Sequence, residues 1–286
     1  MTPQHLHVHG PGKAGTALAR MLAARGTKVV SLSGGSGVSG ARAAALLGCA
    51  WTKTVPHLPE GAWLLLAPPD DALAQAAAAL AEVALPKNVL AFHLSAIHDR
   101  SVLRPLAVRG VHTAAFHPLR ALVADGPLDL GGAMVAIDAA PECAEQMQTL
   151  AVELGGHPLA VQGAQRTAYH LGAALAGNGP VALLELAVEV WVRAGFNAED
   201  ARRELSALAL MALSNATKHG PAALTGPVQR GDVGTVQRHL THMQRHHAED
   251  AELLRATYAV LLRVAAAGSD ARKAAAMAHL LGEERP

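Results

Sequence analysis

Over residues 1–163, short β-branched and apolar runs alternate with Ala- and Leu-rich stretches of helical period, the rhythm that builds a parallel sheet flanked by helices. The runs predict strands at 6–9, 28–32, 63–67, 89–93, 111–116 and 133–137, each entering a turn rich in Gly, Pro, Ser or Asp. Residues 13–24, 40–47, 71–84 and 141–154 predict the intervening helices, the last of them stopped by Gly155-Gly156-His157-Pro158. From Ala164 onward strand signals cease, and helical periodicity runs through 166–194, 197–219, 233–263 and 270–281, with 221–232 a stiff loop. The expected fold is therefore α/β: a doubly wound parallel sheet over 1–163, followed by an all-α substrate and dimerisation domain over 164–286.

Composition narrows the function. Lys and Arg number 24 against 23 Asp and Glu, a balance that argues against a nucleic-acid partner. Only 16% of the 286 residues are charged, against a usual ~25%, so part of the surface is expected to be covered in a homodimer. Cys49 and Cys143 lack CxxC spacing, which excludes a disulfide scaffold or a thiolate metal site and leaves both as small buried hydrophobes. Met1-Thr-Pro-Gln-His lacks the basic start and apolar stretch of a secretion signal, so none is expected. The longest apolar stretch, 168–192, carries His170, Asn178, Glu185 and Glu189, so it reads as a buried helix rather than a membrane span, in a cytoplasmic protein without a membrane partner.

The sharpest local signal is Gly10-Pro11-Gly12-Lys13-Ala14-Gly15, between the first strand and the helix after it. Gly10 suits a tight turn, Gly12 lets backbone approach a pyrophosphate, and Gly15 lets helix and strand pack closely, with the phosphates at the helix N-terminus. An acidic residue that would hold a ribose 2′-hydroxyl is missing at the end of the second strand. Ser33 and Ser36, with Arg42 beyond, suit a 2′-phosphate instead, so NADP (NADPH) is expected over NAD. Ala67, Pro68 and Pro69 close the third predicted strand at the same crevice, where Asp70 is placed to cap the next helix.

Ser95 and His117 follow later strands on that edge and become candidates for the reacting pocket. His170 and Asn178 lie eight residues apart, about two turns along one helix face, with small Ala174 between them. A carbonyl reduction needs such a donor for the developing alkoxide, and histidine can serve near neutral pH. Arg230 could clamp a carboxylate, with Asp232 orienting it or capping the following helix. His5, His7 and His9 alternate along one strand, and His239, His242 and His246 share a helix face. Without companion cysteines or an HExxH pattern neither set reads as a metal site, and the helix set is expected to be solvated or in subunit contact.

Taken in order, GPGKAG, APPD, HLS, FHPL, YHLGAALAGN and TGPVQRGD with His239-Leu240 span nearly the whole chain. This series resembles the family that joins a Rossmann-like NADP-binding domain to a C-terminal domain of unknown function, related to pyrroline-5-carboxylate reductase, ketopantoate reductase and the 6-phosphogluconate dehydrogenase superfamily. The resemblance implies a dimeric NADP-linked oxidoreductase. Ketopantoate reductases place a lysine on the first interdomain helix; His170 stands where it would be expected, and Asn178 matches a later asparagine. The expected enzyme transfers a hydride to a small keto acid or cyclic imine, with His170 as donor, Asn178 and Ser95 positioning the reacting group, and Arg230 or His117 binding a carboxylate. The rival from another class is a non-catalytic NADP-binding or redox-sensing dimer; a second enzyme reading has a deazaflavin as hydride partner.

Overall fold

Eight strands form one sheet in the computed structural model, which describes residues 2–265 and 271–283. They are β1 (His5–His9), β2 (Lys28–Ser33), β3 (Ala50–Thr52), β4 (Trp63–Leu66), β5 (Leu90–His93), β6 (His112–Pro118), β7 (Met134–Ala139) and β8 (His157–Ala160), in the order β3-β2-β1-β4-β5-β6-β7-β8. Chain order reverses between β1 and β4, so a crevice opens at their carboxyl ends.

Five helices belong to this sheet: α1 (Lys13–Ala23), α2 (Gly37–Leu47), α3 (Asp70–Ala81), α4 (Arg104–Ala107) and α5 (Ala144–Glu153). Alternating strand residues feed two separate cores. Leu6, Val8, Phe92 and Phe116 pack with Leu18, Leu22 and Met147, whereas Leu64, Leu66 and Ala91 pack with Leu73, Leu80 and Leu106. All four residues of β4 are buried, which is why its sequence is continuously apolar instead of alternating. Trp63, Phe92 and Phe116 add edge-to-face contacts at 5.9 and 6.1 Å between centroids.

Several expectations need correction. The sheet is not parallel throughout: β7 runs antiparallel to β6 and carries β8 parallel to itself. The segment joining β6 to β7 holds no helix, and an antiparallel neighbour needs no crossover. Sequence patterning misses β3, which is only three residues long, and β8, which is exposed at every position and contains Pro158, so neither shows a strand-like apolar run. Asp70 does not cap α3; Pro69 holds the cap position, and Asp70 and Asp71 occupy the first turn, where their charge favours the helix dipole. Cys143 is buried, but Cys49 is only half-buried.

The chain divides into two compact units, Met1–Ala174 and Leu175–Pro286. Helix α6 (Gly163–Arg193) begins in the first and continues into the second, which also holds α7 (Ala198–His219), α8 (Pro227–Arg230), α9 (Val233–His246), α10 (Ala251–Ala265) and α11 (Ala271–Leu281). The expected loop 221–232 contains a 3₁₀ turn and α8. The single helix expected over 233–263 breaks at His247, whose φ of −147° is not helical, and resumes after a 3₁₀ turn. Asp270, expected to open the last helix, lies outside the described residues. A small core of Val228, Val236, Leu240, Leu262, Met277 and Leu281 holds α8 to α11.

The expectation of a buried helix over 168–192 fails for this chain by itself. An 18-residue window of α6 has a mean hydropathy of 1.5, yet only 6% of it is buried, and by length and composition it could cross a membrane. Its Glu189 pairs with Arg193, and its Glu185 accepts from both Nη atoms of Arg202 on α7.

Candidate dinucleotide site

Each glycine of the first turn has a separate physical reason. Gly10 has φ +82° and its N–H donates to Ser33 O at 2.8 Å; a Cβ there would lie 2.6 Å from Pro68 N. At Gly15 a Cβ would meet the Ala67 side chain at 2.9 Å, so its absence lets α1 close onto β4. Gly12 faces open space, with nothing within 4 Å of a Cβ position. The first α-helical bond of α1 runs from Thr16 N to Gly12 O at 3.0 Å, so the N–H groups of Lys13, Ala14 and Gly15 have no partner four residues back. Those donors and the helix dipole make an anion-binding end. It opens on a cavity of about 540 Å³ lined by His9, Gly10, Gly12, Gly35, Pro68 and Pro69, among others. Pro11 precedes Gly12 in the turn, its carbonyl accepting from Thr16 Oγ1 at 3.4 Å.

The end of β2 is built differently from its sequence reading. Ser33 is fully buried, and its hydroxyl is engaged by His7 Nε2 at 2.8 Å and His9 Nδ1 at 3.0 Å. Ser36 caps α2 by accepting from Ser39 N at 3.2 Å, and Arg42 is exposed on that helix. Trp51 donates to Gly34 O at 3.0 Å and packs so tightly on Gly40 that a Cβ there would come within 2.2 Å of Nε1. His9, which sequence reasoning weighed only as a metal ligand, is in the cavity wall.

Further along the sheet, the ends of β5 and β6 gather a second constellation. Ser95 N donates to His93 Nδ1 at 3.2 Å, which leaves the His93 proton on Nε2, facing Asp99 O at 3.2 Å. Ser95 Oγ accepts from His98 N at 3.1 Å. The Tyr169 hydroxyl and His117 Nδ1 share a bond of 2.7 Å, with the rings edge to face. Arg166 is fully buried; Nη1 donates to the carbonyls of Ser95 and Ala96, while Nε and Nη2 have no hydrogen-bond partner among the described residues. Burial pulls the Arg166 pKa down, and the carboxylates of Asp138 and Asp99 oppose that pull. Burial also drives both His93 and His117 down to about 4, helped for His117 by His170 and Arg166, so both imidazoles are neutral at pH 7. Burial raises Tyr169, which stays protonated.

The predicted Ser95 and His117 thus come with Arg166, Tyr169 and His93, to which sequence reading gave no role. The available signal was helical spacing: Arg166 precedes Tyr169 by three positions and His170 by four. His170 is half-buried. In the helical unit Asn178 is exposed, and Arg230 Nε donates to Asp232 Oδ2 at 2.9 Å. Asp232 holds the cap position of α9 without a side-chain bond to the backbone, so of its two expected roles the orienting one is realised. His239 shares a bond with Tyr258, and His242 stacks on His246 with centroids 4.7 Å apart; all three are exposed. Among the described residues no three His, Cys, Asp or Glu are grouped to hold a metal.

Comparison with known proteins agrees with this architecture. Residues 133–263, which take in the last two strands of the sheet and the helices through most of α10, match the family model described as a domain of unknown function, DUF2520. No curated protein matches the chain. Among solved structures, a Bacteroides fragilis protein described as an inferred NADP oxidoreductase superposes with a TM-score of 0.78 at 19% identity, over 91% of this chain and 98% of that one. A Thermotoga maritima protein gives 0.68 at 20% identity, over 92% and 98%. An imine reductase from Pseudomonas sp. gives 0.60 at 15% identity, over 89% and 92%. At such identities the likeness is one of fold.

Proposed function

We propose that this protein is an NADP-dependent oxidoreductase acting on a small keto acid or cyclic imine. The observation that carries the reading is the first turn: two glycines packed so closely that no side chain fits, and a third facing an open cavity at a helix N-terminus. Residues 10–15 would hold the pyrophosphate through backbone N–H groups, with Ala67, Pro68 and Pro69 forming the facing wall. Bound there, NADPH would supply a hydride.

The chain's own residues would manage the proton. A reduced carbonyl or imine gains a proton at oxygen or nitrogen, and the Tyr169 hydroxyl, when it accepts from Nδ1 of neutral His117, keeps its own proton free to donate. Ser95, whose hydroxyl oxygen accepts from His98 N, keeps its own proton available to a substrate oxygen. His170 stands next to Tyr169 as a second donor. NADPH and NADH titrations followed by nicotinamide fluorescence test the cofactor half of this reading, and absence of NADPH binding would overturn it. For the chemical half, Tyr169→Phe should slow single-turnover oxidation of bound NADPH by keto acids or imines about 100-fold. An unchanged rate would remove Tyr169 from the donor role.

The second part of the reading is a homodimer through the helical unit. Leu175 and Val181 on α6, and Leu208, Leu210 and Met211 on α7, are all more than half exposed in the single chain. Bare apolar side chains in such density on two long neighbouring stretches need cover, and a second copy would supply it symmetrically.

A further inference from the structure

The nucleotide reading leaves His9 without a task. On one face of β1, His7 and His9 are in register with Ser31 and Ser33 of β2. The result is an unbroken run of hydrogen bonds: Ser31 Oγ to His7 Nδ1 at 2.7 Å, His7 Nε2 to Ser33 Oγ at 2.8 Å, and Ser33 Oγ to His9 Nδ1 at 3.0 Å.

Each hydroxyl and each neutral imidazole brings one proton, so the run can be ordered in either of two directions. In one, Ser33 donates to His9 Nδ1, and His9 carries its proton on Nε2. In the other, His9 donates from Nδ1, Ser33 donates onward to His7 Nε2, and His7 donates to Ser31, which leaves His9 Nε2 bare. A proton added at that bare nitrogen costs no existing bond. Burial holds His9 below the usual histidine range, and a neighbouring anion would pull the other way. The groups facing His9 leave room for this: His7 on its own strand is the titratable neighbour, β2 contributes serine hydroxyls, the turn after it contributes Gly34, and β4 contributes Leu66 in register.

Position decides what the imidazole meets. His9 is in the wall of the cavity, and Ser33, its partner, ends β2, where sheets of this kind meet the adenosine ribose. The His9 ring lies against Gly34, where a Cβ would come within 2.8 Å of Cε1 and 3.0 Å of Nε2, so only a glycine there keeps this edge of the ring clear. We infer that His9, aligned by Ser33, reads the 2′ end of the adenosine ribose, donating from Nε2 to a 2′-phosphate and so setting the preference for NADP over NAD. This rests on the cavity being an NADP site.

The test is a set of binding titrations with NADPH and NADH on wild type, His9→Gln and Ser33→Ala, together with calorimetry of NADPH binding in two buffers of different ionisation enthalpy. Wild type should prefer NADPH and take up protons on binding it at pH 7.5. His9→Gln should lose roughly tenfold or more in NADPH affinity with less than about a twofold change for NADH, and should lose the proton uptake. Ser33→Ala keeps the imidazole but unties it, and should weaken NADPH by a smaller factor; it serves as the test if Gln at position 9 does not fold. Wild type binding neither dinucleotide would bring down the NADP reading itself. NADPH preference and proton uptake both surviving in His9→Gln, with the NADP reading intact, would overturn this inference and leave the role to Arg42.

Discussion

Leucines meet opposite fates in two regions of this molecule. In β4, Trp63, Leu64, Leu65 and Leu66 are buried on both faces, because neighbouring strands and α3 come from the same stretch of chain. Helices α6 and α7 also carry leucines, and there Leu175, Leu208 and Leu210 are 66%, 59% and 69% exposed. Burying a leucine fully is worth about 1.5–3 kcal/mol, so the helices leave several such contributions unrealised within one chain. The sheet unit therefore buries its apolar strands within one chain, whereas α6 and α7 leave theirs exposed, and the proposed homodimer is what would cover them.

The largest effect should come from attacking that difference directly. Leu208→Glu with Met211→Glu places two charges on the bare face of α7, and each charge would have to be buried unpaired in an assembled dimer. Light scattering after size exclusion should show a dimer for wild type and a monomer for the double variant, with association weakened at least about 1,000-fold. NADPH affinity should change little, because the dinucleotide cavity is lined by the sheet unit alone. A monomeric wild type would break the comparison, since the face would then be bare in solution.

Next in size are substitutions that separate folding from binding within the sheet unit. Gly10→Ala forces a side chain into φ +82° and against Pro68 backbone at 2.6 Å, and should lower unfolding stability by about 2–4 kcal/mol in urea titration. Gly12→Ala points into open space and should stay within about 1 kcal/mol of wild type. It should still weaken NADPH at least about tenfold, by holding a phosphate off the helix N-terminus. Equal destabilisation by both would mean that this turn is only structural.

The sequence made the sheet unit more legible than the helical one, for physical reasons. Strand, glycine turn and helix at residues 5–23 each follow from neighbours in the chain, and all were readable. β8 was not, because an exposed edge strand with Pro158 carries no burial pattern. The break at His247 was hidden, since nothing nearby resembles a helix stop such as Gly or Pro. In the site, the glycines were readable because their requirement is local. The Tyr169–His117 bond and the buried Arg166 were not, because they join residues 52 and about 70 positions apart through the register of the sheet. Caps illustrate the same limit: Asn197 accepts from two backbone N–H groups of α7, while Asp232, equally well placed in sequence, turns to Arg230.

The smallest effect expected is a difference in acid response, and it too should locate to the sheet unit. His7 is driven to about 4 by burial and by His9, and His93 and His117 to about 4 mainly by burial. Each is neutral when folded, while in the unfolded chain it takes a proton near pH 6.5. The unfolded state therefore binds more protons below pH 6.5, and stability falls as pH drops from there towards 4, beyond which the folded histidines protonate as well. For one such histidine the loss at pH 5 is about 2 kcal/mol. His7→Leu removes one titration along with its two serine bonds, so it should be less stable than wild type at pH 7 but lose less between pH 7 and pH 5 in urea titrations. An identical pH slope in wild type and variant would show that His7 takes up protons as readily in the folded chain as in the unfolded one, and that the strand-borne imidazoles are not held neutral by the sheet that buries them.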